Sequence, residues 1–259
     1  MTIWIDGKLC GGNDIPRSRA IAPFETMGAT GGAVPLWSRH ITRLSTTAQR
    51  LGLTFDATPE VRAGATEVLL KNGHTDDVLR LSLVPSEGED APARVVLASR
   101  KRSPVKVVKL LPTIAERAAD APPGDLKAEP RRFYDTVLQQ AQDGEADDGV
   151  VVGLDGALLE TALGNLWLRL DGTWVTPPLD GRVLPGVARA LLLDHAAAGQ
   201  VAVVEREVAL ADLHRAEAMA QSNAVYGPRP ACLVGGHADV SLVDAELGSL
   251  WRSAMRGAG

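Results

Sequence analysis

Hydrophobic positions along this chain repeat with the strand period in some stretches and the helix period in others, and the order of those stretches changes near the middle. At the start, TIWID and KLC flank an Asp-Gly pair, the pattern of a small hairpin. Residues 35–53, PLWSRHITRLSTTAQRLGL, place Leu36, His40, Arg43, Leu44, Ala48 and Leu51 at helical spacings, with Gly52 as a stop. VLRLSLVPS, RVVLASRK and VKVVKLL follow as three short β-rich runs at close intervals, as an antiparallel sheet needs. AADAPPGD (118–125) breaks the pattern and reads as a linker.

Beyond the linker the two periods alternate. PRRFYDTVLQQAQ predicts a helix, GVVVGLD a strand, and NLWLRL with TWVTPP a hairpin around a second Asp-Gly pair. GVARALLLDHAAAG predicts a helix, VAVVERE a strand, ALADLHRAEAMAQ a helix, ACLVGG a strand, and the C-terminus an amphipathic helix. The expected organisation is therefore an α+β domain over residues 1–117, a linker at 118–126 and a larger α/β domain over 127–259. No internal repeat is visible.

Composition narrows the classes of function. At 259 residues, 45% hydrophobic and 23% charged, the chain has the profile of a globular protein, and a net charge of −5 offers no general attraction to nucleic acid or anionic membranes. No run of about 18 apolar residues predicts a membrane span. MTIWIDGKL lacks the basic-then-apolar pattern of a secretory signal, so the expected location is cytoplasmic. Cys10 and Cys232 are far apart, and His40, His74, His195, His214 and His237 are scattered, so no metal site is expected. The basic run SRKRSPVKVVK overlaps a predicted strand and reads as a solvated sheet face. Dinucleotide, P-loop, zinc-protease and nucleophile-elbow motifs are missing.

One stretch does carry chemistry. In LPGVAR, Pro185 and Gly186 precede an Ala/Leu-rich helix, leaving the amides of Val187 and Ala188 at its N-terminus, where an anion such as phosphate is favoured. The whole run 160–189, ETALGNLWLRLDGTWVTPPLDGRVLPGVAR, resembles the signature of class IV aminotransferases, the fold-type IV enzymes that use pyridoxal phosphate. The matching elements are Glu160, Ala162, Asn165, Trp167, Thr176-Pro177 and Leu184-x-Gly186-x-x-Arg189. FET (24–26) with the following His-x-x-Arg-Leu, KAEPRRFYD (127–135) and SNAVYGPRP (222–230) are similar to further family elements in both halves.

The resemblance implies roles that suit the residue types. Lys127, 33 residues before Glu160, would be the Schiff-base lysine, holding the cofactor and then serving as base. Glu160 would face the pyridine nitrogen and keep it protonated. Arg43, Val187, Ala188, Asn223 and Ala224 would hold the phosphate, and Thr26 would position or protonate the substrate. The family's architecture is the two-domain fold of D-amino-acid aminotransferases, with the site between domains and a homodimeric assembly. Its substrates include branched-chain amino acids, D-amino acids and aminodeoxychorismate.

Departures from the family pattern refine the expectation. GGNDIPRSRAIAPFET lacks the usual Asp-Arg-Gly and Tyr-Gly-Asp-Gly loop before FET, Met27-Gly28 stand where lyase-like members often have an Arg, and Ala188 replaces a hydroxyl residue. LRLSLVPSEG shows no Arg and His after Val84, which argues against the D-amino-acid branch. FET and KxxxRxxYD look most like aminodeoxychorismate lyase, which releases pyruvate to leave 4-aminobenzoate. The alternatives are a class IV transaminase and a degenerate, non-catalytic relative that serves as a partner-binding scaffold.

Overall fold

The first hairpin forms where the Asp-Gly pair predicts it. In the computed structural model, which describes residues 1–16, 18, 20–86, 92–104, 106–197, 199 and 201–257, β1 (Thr2–Ile5) and β2 (Lys8–Gly11) are joined through Asp6 and Gly7 at φ 44° and 93°. Two successive positive φ values make the tight turn whose twist matches the strands. β3 (Ala22–Gly28), α1 (Trp37–Arg50), α2 (Pro59–Asn72), β4 (Val78–Val84) and β5 (Arg94–Arg100) follow. β6 (Val108–Ile114) leaves this group and β7 (Ala128–Glu129) returns to it. The result is a six-stranded antiparallel sheet in the order β2-β1-β5-β4-β3-β7.

Both helices bury their apolar stripes with one side of that sheet: Leu44 of α1 and Val68 and Leu69 of α2 share a core with Met27, Leu79 and Leu97. α2 spans residues for which the sequence pattern predicts no element. It begins with Pro59, whose missing N–H has no intrahelical partner to lose, and stops at Gly73 with φ 66°. Gly64 lies so close to Trp4 that a Cβ would meet the indole at 2.5 Å, so the glycine sets how closely α2 approaches β1.

The second unit is built on an eight-stranded mixed sheet. Its remaining elements are α3 (Arg132–Asp143), β8 (Asp148–Val152), β9 (Leu158–Thr161), β10 (Asn165–Leu170), β11 (Thr173–Thr176), α4 (Val187–Ala196), β12 (Val203–Glu205), β13 (Ala218–Asn223) and β14 (Gly227–Leu233). A closing helical run passes from α5 (Val240–Val243) through a π turn to α6 (Ser249–Arg256). The strand order is β12-β11-β10-β13-β14-β6-β8-β9. Leu166 and Leu168 enter one core cluster while Trp167 and Ala220 enter another. Burial on both faces explains why these strands read as near-continuous apolar runs.

Several expectations are corrected here. VKVVKLL does not join the first antiparallel sheet: as β6 it pairs in parallel with β14 on one side and β8 on the other. Parallel partners lie far away in sequence, so local strand pattern cannot reveal them. The chain accordingly divides into Met1–Ser103 with Leu126–Pro130, and Pro104–Asp125 with Arg131–Gly259. The break falls after Ser103 instead of near residue 118, and Lys127 belongs to the first unit because β7 pairs with β3. ALADLHRAEAMAQ is not one helix. Leu210–His214 form a 3₁₀ turn, and Ala218–Asn223 become β13, a central strand between β10 and β14. Ala, Met and Gln favour helix, yet the ladders on both sides of β13 decide the outcome. Arg17, Arg19, Glu87, Gly88, Val105 and Ala198, which lie within stretches read above, are outside the described residues.

Candidate active site

Two groups of side chains assemble, each within its own unit. In the first unit β3 alternates its side chains about the sheet. Glu25 turns toward α1, where it is fully buried and accepts hydrogen bonds from Arg43 Nε (2.8 Å), Arg43 Nη2 (2.6 Å) and His40 Nδ1 (2.7 Å). His40 and Arg43 are three residues apart on α1, which puts them on one helix face. Burial raises the Glu25 pKa, but the Arg43 guanidinium and the His40 bond outweigh it and hold the carboxyl at about 2. Burial also drives the His40 pKa below its usual range against the pull of Glu25, so the imidazole is neutral and Nδ1 carries the donated proton. Its Nε2 is buried and has no hydrogen-bond partner among the described residues.

The opposite face of β3 carries Phe24 and Thr26. Lys127 is tied to this strand by its carbonyl, which accepts from the Phe24 amide at 3.0 Å, and its Nζ stands 4.7 Å from the Phe24 ring centroid. The Arg80 guanidinium lies 3.8 Å from the same centroid and donates to Glu129 at 2.8 Å. Arg80 is the register partner of Thr26 on β4. The unit thus brings the Lys127 amine beside Phe24, two residues from Thr26 on β3, and Glu25 aligns Arg43.

In the second unit Glu160 sits on β9 and is 3% exposed. Its Oε1 accepts from the Tyr134 hydroxyl at 2.5 Å, and its Oε2 from the Leu184 amide at 3.2 Å and Asn165 Nδ2 at 3.5 Å. Burial and the nearby Glu160 charge push the Tyr134 pKa well above its usual range, so the phenol stays a donor. Arg117 donates to the Tyr134 hydroxyl at 3.0 Å and lies over the Phe133 ring. Asn165 also donates to the Leu184 carbonyl at 3.0 Å, linking Glu160 to the segment that starts α4.

That helix starts as the sequence predicts. Gly186 is its N-cap, and a Cβ there would meet Asn165 Oδ1 at 1.9 Å, so only glycine lets the chain pass. Val187 and Ala188 are the first helical residues, whose amides have no acceptor within the helix. Arg189 is buried, donates to the Pro177 carbonyl at 2.9 Å and pairs with Glu205, pinning the helix to the segment after β11. Asn223 Oδ1 accepts from the Val225 and Tyr226 amides, each at 3.1 Å, and so shapes the turn that contains Ala224. Asn223 Nδ2 donates to the Leu163 carbonyl at 3.2 Å, joining that turn to the one that follows Glu160.

The family model for amino-transferase class IV matches residues 22–234. The chain belongs to that family. A probable branched-chain-amino-acid aminotransferase of Thermotoga maritima is 26% identical over 98% of this chain and 94% of its own length. Among solved structures, the pyridoxal-phosphate-bound form of a hypothetical aminotransferase from Mycobacterium tuberculosis superposes with a TM-score of 0.81 at 20% identity, covering all of both chains. A putative 4-amino-4-deoxychorismate lyase from Legionella pneumophila superposes with a TM-score of 0.79 at 21% identity over 90% of this chain and 91% of its own. These likenesses give the fold-type IV architecture.

Class IV enzymes work with pyridoxal 5′-phosphate, and this family member is accordingly a pyridoxal-phosphate-dependent enzyme. The residues present fit that group. Glu160 is a buried carboxylate held by the Tyr134 hydroxyl and the Leu184 amide, a group able to face a protonated ring nitrogen. α4 begins on a glycine whose Cβ position is filled by Asn165, and Lys127 supplies an amine. Sequence reading missed Glu25 as the partner of Arg43, Tyr134 as a partner of Glu160, and Arg117 as a partner of Tyr134. The i, i+3 spacing of His40 and Arg43 hinted at a shared acceptor. Nothing in the sequence marks Arg117, because its partner is supplied by α3.

Proposed function

We propose that this enzyme is a lyase that releases pyruvate from 4-amino-4-deoxychorismate and leaves 4-aminobenzoate. The observation that carries this reading is that Thr26 and Phe24 share one face of β3 and that the Lys127 amine stands over Phe24. A hydroxyl and an amine suit a reaction that needs a base and then a proton donor. When bound, pyridoxal phosphate supplies an electron sink. Lys127 would anchor it, Glu160 would keep its ring nitrogen protonated, and Arg43, the amides of Val187 and Ala188 and the turn at Asn223 and Ala224 would hold its phosphate.

Lys127 would also serve as the base that takes the proton from the carbon bearing the substrate amine. The C–O bond to the pyruvyl ether would then break, the carbocycle would become aromatic, and the proton held by Lys127 would pass through the Thr26 hydroxyl to the departing enol fragment, giving pyruvate. Atoms balance with no second substrate. A class IV transaminase is the second reading, supported by the near full-length similarity to the Thermotoga maritima protein. We take the active form to be a cytoplasmic homodimer, after the family pattern.

The test begins with the visible spectrum of the purified chain titrated with pyridoxal phosphate, followed by borohydride and peptide mapping. The expected result is a reducible band fixed on Lys127, abolished in Lys127→Ala. Pyruvate and 4-aminobenzoate are then expected from aminodeoxychorismate without any keto acid. Turnover only when a 2-oxo acid is added, with a branched-chain amino acid as donor, would replace the lyase by the transaminase.

A further inference from the structure

The turn Ala162-Leu163-Gly164 connects Glu160 on β9 to Asn165 on β10, and almost every polar backbone group in it is held. The Ala162 amide donates to the Gly149 carbonyl at 3.0 Å, and Thr161 and Gly164 bond one another across the turn at 2.8 and 3.4 Å. Arg131 donates to the Ala162 carbonyl at 2.6 Å, and Asn223 to the Leu163 carbonyl at 3.2 Å. The remaining amide, that of Leu163, donates at 3.1 Å to a side chain outside both motifs, Asp148 Oδ2. Asp148 opens β8 and is fully buried.

The surroundings of Asp148 fix its charge state at neutral pH. Its Oδ1 accepts from the Gly149 amide at 2.8 Å, and its Oδ2 also accepts from Gln221 Nε2 on β13. Gln221 has no choice of orientation, because Arg229 on β14 can only donate and bonds its Oε1. The amide nitrogen therefore faces Asp148 and the Thr161 hydroxyl, the latter at 2.8 Å. A proton on Oδ2 would set O–H against N–H groups, so the ionised form is the one this cage accommodates. Arg229 is the cation facing it; its Nε is buried without a partner among the described residues, and its guanidinium also lies over Tyr226. The neighbouring Asp147 is occupied by Lys106 and by the Lys109 amide at the start of β6. The buried residues of α3 are the apolar Val137 and Ala141.

We propose that Asp148 is a positioning residue for the cofactor site, whose carboxylate locks the Ala162–Gly164 turn and through it sets both Glu160 and the Asn223 turn. The inference rests on the roles given above to Glu160 and Asn223. Burial pushes the Asp148 carboxyl up to about 6, against the pull of Thr161, the Gly149 and Leu163 amides and Arg229. At pH about 7.5, above that value, the carboxyl is ionised, and its Oδ2 accepts from both Leu163 and Gln221.

Asp148→Asn in the full chain tests this, because one side of the new amide must present N–H to a donor. Amide hydrogen exchange without cofactor, corrected for intrinsic rates, should show protection at Ala162–Gly164 falling about tenfold at about pH 7.5, with β4 and β5 unchanged. The dissociation constant for pyridoxal phosphate should rise about tenfold at the same pH. Unchanged protection of the turn in the variant overturns the proposal. If Asp148→Asn fails to fold, Asp148→Ser is measured in the same way at about pH 7.5, unchanged protection of the turn counting against Asp148. If the wild type never takes cofactor onto Lys127, the functional reading falls, and the exchange data still judge whether Asp148 holds the turn.

Discussion

A carboxylate with no exposed surface decides how Arg43 is presented. Glu25 takes two nitrogens of the Arg43 fork and one of His40, and the pairing holds its pKa at about 2. A depressed carboxylate contributes stability that is present above its unfolded pKa and lost as pH falls through the folded one. For Glu25 that window runs from the model-compound value of 4.5 down to about 2, a difference of about 3 kcal/mol at most. Glu25→Gln would leave Arg43 and His40 facing a neutral amide. Its expected cost is about 3 kcal/mol in urea unfolding at neutral pH, shrinking toward zero as the pH approaches about 2. A cost that stays constant across that range would show that packing, not charge, is what Glu25 contributes. The pairing was hidden in the sequence, where Glu25 appears only as the middle of FET and Arg43 as an expected phosphate ligand on its helix.

At the scale of elements, the start of α4 shows how a local signal becomes a site. Pro185, Gly186 and the Ala/Leu run predict a helix N-terminus, and the structure adds the reason for glycine, the Asn165 side chain at the Cβ position. Gly186→Ala must push Asn165 off the Leu184 carbonyl, and with it one of the groups around Glu160. The expected loss is about 1–3 kcal/mol by chemical denaturation, with weaker cofactor binding at temperatures where the variant stays folded. Wild-type cofactor affinity in the variant would uncouple the helix start from Glu160. Other elements were less legible. α2 carries Gly64 inside it and an exposed Leu70, which blur its apolar stripe, although Thr58-Pro59 and Gly73 mark both ends. β13 reads as helix because Ala, Met and Gln favour one, and only its neighbours β10 and β14 make it a strand.

At the scale of the whole molecule, the Pro-rich stretch 118–125 is a misleading guide to where the chain divides. β6 lies before it in sequence and stands in the middle of the second sheet, with β14 on one edge and β8 on the other. A fragment cut at about residue 118 leaves both of those strands with unpaired edges inside a sheet, while a fragment that begins at Pro104 keeps them paired. The longer fragment should show cooperative thermal unfolding and dispersed amide resonances, and the shorter one should aggregate or remain unstructured. Equal folding of both fragments would mean that β6 is dispensable to the second core.

The sequence by itself determined the chemical vocabulary of this protein. Motif spacing carried the family and its cofactor, and alternating periods carried the hairpins at Asp6-Gly7 and Asp171-Gly172, the helices α1, α3 and α4, and most of the strands. These are short-range matters, set by turn residues, caps and side-chain periods within a few positions. Only the tertiary structure decided that β6 belongs to the second sheet, that Lys127 pairs beside Phe24, that Glu25 aligns Arg43, and that Asp148 reaches across to Leu163. Each of those joins residues from separate elements, and the free energy that selects them comes from burial and hydrogen bonding between elements, which no local pattern encodes.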